Sequence, residues 1–392
     1  MLAVVSRKGF IWPLSYIGVH PPRIAMSGVV NLPFERWQAP SRRQSLVAQL
    51  VRQAAKTSGD QAFDLADIPA REFRWVLDGG LGPLLWHAIR ATNSAIPEDW
   101  QAELRGADLT ARIRHGDLVN TACDVIDAGS ATNVPVTLLK GISVSEQLYP
   151  AEHLRPMGDI DVLVPRDGYV RVEADLLSGA YRRIDYPEME GRHHGAPLRH
   201  RERNTLVELH VELFPDDSPL RRSGRVLSAA AVAANGVVSG CYHGRPVLRL
   251  SPQTQLLYIA ASWFNDLTFC PPHPSFLASL FDAVYLTTRF TDLLGGDRPY
   301  ATIDNPFARA SLLALLTYLP RFGLRAPSLQ QIDALRRGHS IVGTVELCMI
   351  HAMLDRFQIG AREWSLPMPP PVPGRYSVMH QLHKKLWVRL RK

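Results

Sequence analysis

Asp159 and Asp161 stand one residue apart at the head of an apolar run, DIDVLV. Side chains alternate along a strand, so the two carboxylates share one face while Ile160 and Val162 take the other. Neighbouring carboxylates are costly to ionise together unless a cation lies between them. Oxygen donors of this kind suit Mg²⁺, which takes one or two carboxylates together with substrate phosphates. The plain alternative is a strand that merely ends in acids at the surface.

Two further stretches bear on that choice. In LVELHVEL the same alternation puts Glu208, His210 and Glu212 on one face and Val207, Leu209, Val211 and Leu213 on the other. If this strand neighbours the first, Glu208 or Glu212 can complete a three-carboxylate site. Upstream, LLKGIS reads as a strand running into Gly141 and then a helix. The free N–H groups of that helix start, Ser143 and the Lys140 ammonium would together favour a phosphate. A phosphate cradle, a paired-acid strand and a third acid strand make a phosphoryl or nucleotidyl transfer site.

These residues resemble a known family, the uncharacterised nucleotidyltransferases of the DNA polymerase β-like superfamily. LLKGISVSEQLYP, RPMGDIDVLVP, HHGAPL, VELHVEL and LSPQTQLLYIAA carry the resemblance, in that order, over roughly residues 40–290. It implies an α+β fold with a small mixed sheet, and two metal ions, Mg²⁺ or Mn²⁺, about 4 Å apart at the paired acids. It also implies transfer of a nucleoside monophosphate from an NTP to a hydroxyl acceptor, with release of pyrophosphate. Carried over position by position, Gly141 and Ser143 match the phosphate loop, Asp159 and Asp161 the metal carboxylates, and Glu208 the third acid. Lys140 and Arg155 would neutralise the triphosphate. The superfamily loop has Gly followed directly by Ser or Gly, whereas Ile142 intervenes here.

Three histidines, His193, His194 and His200, lie in a loop before His210. Adjacent loop histidines are a poor zinc site without regular spacing or a cysteine. His194 is therefore expected to face the nucleotide or its acceptor, and His210 to be a structural residue hydrogen-bonded beside the acids. The segment HGDLVN (115–120) resembles a kinase catalytic loop, but Asn120 follows Asp117 too closely and the surrounding pattern is helical. It reads as a helix surface.

The elements that must position these residues fall into blocks. An irregular extension is expected over 1–40, helices over 41–130, the α/β core over 131–250, helices again over 251–360, and a Pro-rich segment with a basic tail over 361–392. SRRQSLVAQLVRQAA has helical recurrence behind a Ser cap, and PAREFRWVLDGG ends on a glycine pair. The first 25 or so residues lack signal-peptide features, and Met26 is an alternative start.

Composition sets outer limits. The 392 residues are 46% hydrophobic and 21% charged, as in ordinary globular proteins, and no apolar run approaches the ~20 residues of a membrane span. Four cysteines without CxxC spacing argue against a disulfide framework and fit a reducing cytoplasm. The net charge of +7 suits an anionic ligand or plain solubility. The expected partners are an NTP and an unidentified small-molecule, protein or RNA acceptor. Two other readings stand beside this one: a catalytically silent nucleotide-binding or scaffold protein, and a nucleic-acid binder using the basic tail.

Overall fold

The apolar halves of DIDVLV and LVELHVEL pair as the centre of one sheet. In the computed structural model β2 (Asp159–Leu163) runs parallel to β5 (Leu206–His210), with Asp161 opposite Glu208 and Leu163 opposite His210. Ile160, Val162, Val207 and Leu209 are all buried beneath the sheet, each contributing about 1.5–3 kcal/mol. Because a slip of one residue would bury the acids in their place, this apolar underside fixes the face on which Asp159, Asp161 and Glu208 stand.

Five more strands complete the sheet: β1 (Thr137–Leu138), β3 (Tyr181–Arg183), β4 (Leu198–His200), β6 (Val237–Tyr242) and β7 (Arg245–Leu250). Their order is β3-β4-β5-β2-β1-β7-β6. The β1–β7 pair, like β2–β5, is parallel and the other four pairs are antiparallel, so the sheet is mixed and the fold is α+β. The structure describes residues 45–56, 62–184, 193–216, 218–269, 276–291, 303–336, 347, 350–351 and 354–355. The expected N-terminal extension, the alternative start at Met26, and the Pro-rich and basic tail lie outside the described residues.

Helices cover both faces. The second half of α4 (Glu98–Ala131), through Leu118, Ala122, Val125 and Ile126, joins α6 (Tyr169–Ser178) on the apolar underside. On the other side α1 (Leu46–Ala54), α2 (Ala70–Asp78) and α3 (Gly82–Ala91) share a second core with α9 (Pro252–Phe269), α10 (Phe276–Arg289) and α11 (Pro306–Tyr318). Short α5 (Lys140–Leu148), α7 (Pro219–Arg222), α8 (Ala229–Asn235) and α12 (Leu329–Arg336) fill the connections. The caps are those that helix ends require: Ser45 accepts from the Ala48 N–H, and Asn305 from those of Phe307 and Ala308, with Pro306 in the first turn. HGDLVN lies within α4. The described residues belong to one compact unit. Among the described residues, no helix is long and apolar enough to cross a membrane.

Two strands are shorter than the sequence suggests. VPVTLLKG keeps only Thr137 and Leu138 as strand: the Leu139 N–H still bonds the Asp161 carbonyl of β2, but Lys140 turns the chain with φ at 44° and opens α5. The second strand ends at His210, since the N–H groups of Val211 and Glu212 both turn to the His193 carbonyl. Glu212 therefore leaves the acidic face. Its carboxylate caps the Ala229 N–H at 2.8 Å and meets Arg221 at 3.3 Å.

Candidate active site

The acidic face of β2, with Asp159 and Asp161, lines a cleft of about 700 Å³. Its walls come from the α2–α3 connection, α4, the start of α5, the 155–161 segment, the turn after β5, α9 and α10. Asp161 is the hub. Only 4% exposed, it receives the His210 ring at 2.7 Å and the Lys140 ammonium at 3.0 Å, both at Oδ1. Glu208 stands beside it, with its Oε2 3.5 Å from His210 Nε2 and 3.7 Å from His194 Nε2.

Electrostatics separates the three acids. Burial and then the Asp161 charge push the Asp159 carboxyl up to about 6. Burial acts the same way on Asp161, but the Lys140 charge and the His210 hydrogen bond outweigh it and hold that carboxyl well below the usual range. Glu208 is likewise lowered, its burial offset by the His210 hydrogen bond. Burial opposes charge on Lys140 and His210 too, yet Asp161 raises Lys140, and hydrogen bonds to Asp161 and Glu208 raise His210. His193, half-buried beside His210, falls to about 3 because burial disfavours its charge, and it faces the cleft as a neutral imidazole.

A nucleotide-phosphate role for the other sequence-derived residues fits unevenly. Lys140 and Gly141 both line the cleft at the start of α5, where the first helical N–H groups have no intrahelical acceptor. A side chain on Gly141 would have its Cβ 2.5 Å from both Arg155 Nη1 and Met157 Cγ, so glycine is what lets that wall close. Ser143 is not part of the wall. It is 1% exposed, and its carbonyl accepts from Arg249 Nη1 at 2.6 Å. Arg155 lines the cleft but is committed to Asp282 of α10, through Nε at 3.1 Å and Nη2 at 2.7 Å.

A family model for uncharacterised nucleotidyltransferases matches residues 71–293, more than half of the chain and the whole of this cleft's acidic face. The chain belongs to that family. Its activity class is accordingly nucleotidyl transfer. No curated protein matches the sequence. Among solved structures, a solution structure of the antibiotic-resistance factor ANT(2'')-Ia is similar at 12% identity over 60% of this chain and 90% of that one, with a TM-score of 0.26. A crystal structure of ANT(2'')-Ia with adenylyl-2''-tobramycin is similar at 16% identity over 44% of this chain and 97% of that one, with a TM-score of 0.27. Overlaps this loose carry no argument about the site.

The nucleotidyltransferase cleft has donors suited to a divalent cation. A carboxylate oxygen of Asp161, one of Glu208 and a ring nitrogen of His210 all lie within 4.8 Å of one another. Burial first, and then the charge of Asp161, disfavours an ionised Asp159 carboxylate here, a cost that a bound cation would offset. Some cleft residues are not singled out by any motif in the sequence. Arg114 of α4 and Asp282 of α10 reach the cleft only because distant helices pack around it. Asp282 alone leaves a trace, as the single acid in the apolar helix SFLASLFDAVYLTTR.

Proposed function

We propose that the protein is a metal-dependent nucleotidyltransferase that moves a nucleoside monophosphate from an NTP to a hydroxyl acceptor and releases pyrophosphate. The observation that carries this reading is the pairing of Asp161 with Glu208 across parallel strands, beside Asp159 and at the mouth of α5. A divalent cation, Mg²⁺ or Mn²⁺, held by Asp159, Asp161 and Glu208 would neutralise triphosphate charge and make the acceptor hydroxyl more acidic. Lys140 and the free N–H groups at Gly141 would hold the triphosphate, with Arg155 fixed by Asp282 against the same wall. Glu208 would take the acceptor's proton as the acceptor oxygen bonds to the α-phosphorus. The bond from that phosphorus to the α,β-bridging oxygen breaks, and the electron pair leaves on pyrophosphate. His194, 3.7 Å from Glu208 though not on the cleft wall, would meet the nucleotide or the acceptor. A cleft of about 700 Å³ has room for a nucleotide and part of a small acceptor.

Pyrophosphate release and self-labelling from each of the four NTPs, with Mg²⁺ or Mn²⁺, test the proposal. Activity from at least one NTP should vanish in an Asp159→Ala/Asp161→Ala protein that remains folded. Activity retained in that variant would overturn the assignment. One observation favours a second reading, that of a nucleotide-binding scaffold: Ile142 displaces Ser143 from the loop position, and Ser143 is buried away from the cleft. NTP binding with no pyrophosphate release would establish it.

A further inference from the structure

The acidic site expected from sequence offers only oxygen donors, yet the donors that converge in the fold include a nitrogen. Among the described residues, the set whose ligand atoms all lie within 4.8 Å of one another is Asp161, Glu208 and His210, without Asp159. His210 is completely buried, and its Nε2 is 2.7 Å from Asp161 Oδ1 and 3.5 Å from Glu208 Oε2. Separations of this size are those of neighbouring donors around a single first-row ion, where metal–ligand bonds are about 2.0–2.2 Å.

The ring is held in place. It packs against His193 with centroids 4.9 Å apart and against His194 at 5.2 Å, while backbone bonds from Gly195 to Leu209 and from Val211 to His193 tie the two segments together. Its Nδ1 is buried and makes no hydrogen bond, so the polar capacity of the ring is directed at the two carboxylates through Nε2.

We infer that His210 Nε2 is a metal ligand alongside Asp161 and Glu208, and that this nitrogen makes the site select Mn²⁺ over Mg²⁺. The inference rests on the metal-dependent reading above. Its chemistry is ligand type: Mg²⁺ takes oxygen donors almost exclusively, whereas imidazole suits first-row transition ions. A mixed set of two carboxylates and one imidazole retains Mg²⁺ weakly and Mn²⁺ well.

The probe is Mn²⁺ alone, added to the full chain and followed by electron paramagnetic resonance. Free-ion titration gives the affinity, and pulsed measurements report any ¹⁴N nucleus bonded to the ion. Wild type should bind Mn²⁺ with a directly coordinated imidazole signal that changes to the ¹⁵N pattern when histidine is isotopically labelled. His210→Asn should lose the signal and lower the Mn²⁺-over-Mg²⁺ affinity ratio about tenfold. Should that variant fail to fold, His193→Gln and His194→Gln provide the control, since both must keep the nitrogen signal. Mn²⁺ bound with no nitrogen coupling overturns the inference and leaves the metal-dependent reading standing. A signal that persists in His210→Asn, or disappears in either of the other variants, also overturns it. Wild type that binds no Mn²⁺ would overturn both.

Discussion

Two groups of buried charge face each other across the cleft, and they are built on opposite terms. On the helical wall Asp282 is 2% exposed and fully matched: Tyr149 donates its hydroxyl at 2.7 Å, and the Arg155 guanidinium closes on both carboxylate oxygens. On the sheet wall three carboxylates, Asp159, Asp161 and Glu208, stand together with one fixed cation, Lys140, and the His210 ring. Burial and then the Asp161 charge drive the Asp159 carboxyl up to about 6. A closed pair needs no ligand and holds α10 against the segment leading into β2, whereas an open acidic cluster carries a desolvation and repulsion cost that a bound cation relieves. The first is architecture and the second is a binding site.

Breaking the closed wall should cost most. Asp282→Ala leaves the Arg155 guanidinium buried without its partner and removes the acceptor for Tyr149. The expected loss is about 3 kcal/mol or more, read as a lower urea midpoint. A loss below about 1 kcal/mol would show that the pair is not the constraint it looks to be.

Relieving the open wall should act in the opposite sense. The folded Asp159 holds its proton up to about pH 6, above the ordinary carboxyl range near 3.8. Its contribution to stability is therefore present below about pH 4 and is lost as pH rises through 6. Metal-free Asp159→Asn should be more stable than wild type by about 2 kcal/mol at pH 8 and equal to it near pH 4. Adding Mn²⁺ should reverse the order, because only wild type gains the full binding energy. Equal stability at pH 8 would mean that the cluster stores no repulsion.

Between the two walls lies Gly141, and a smaller effect is expected there. Gly141→Ala places a methyl against Arg155 and Met157, and Arg155 is pinned by Asp282 and cannot yield freely. Thermal unfolding should register a loss of about 1 kcal/mol. Combined with Asp282→Ala, which frees the guanidinium, the two losses should add to less than their sum. Strict additivity would show that the wall closes independently of the pair.

The two walls also differ in how far the sequence discloses them. Period-two alternation made the facing of Asp159, Asp161 and Glu208 legible, since the apolar partners Ile160, Val162, Val207 and Leu209 leave one choice of face. Strand length was less legible: nothing in LVELHVEL marks His210 as the last residue, because the His193 carbonyl that captures the next N–H groups lies upstream in a separate loop. Glu212 is consequently indistinguishable from Glu208 by alternation, although it serves as a helix cap. The closed wall was not legible. Arg155 beside an acidic motif looks like a phosphate ligand until α10, more than a hundred residues later, brings Asp282 onto it. Ser143 similarly looks like a loop hydroxyl until Arg249, far along the chain, claims its carbonyl and shows which way that turn of α5 is packed.

The most direct measurement is calorimetric binding of a non-hydrolysable NTP analogue with and without Mn²⁺, to wild type and to Asp161→Asn. Wild type should bind the analogue only when the metal is present, and folded Asp161→Asn should bind it at least about a hundredfold more weakly. Equal, metal-independent binding by the two proteins would contradict the claim that the sheet wall holds a cation for the nucleotide.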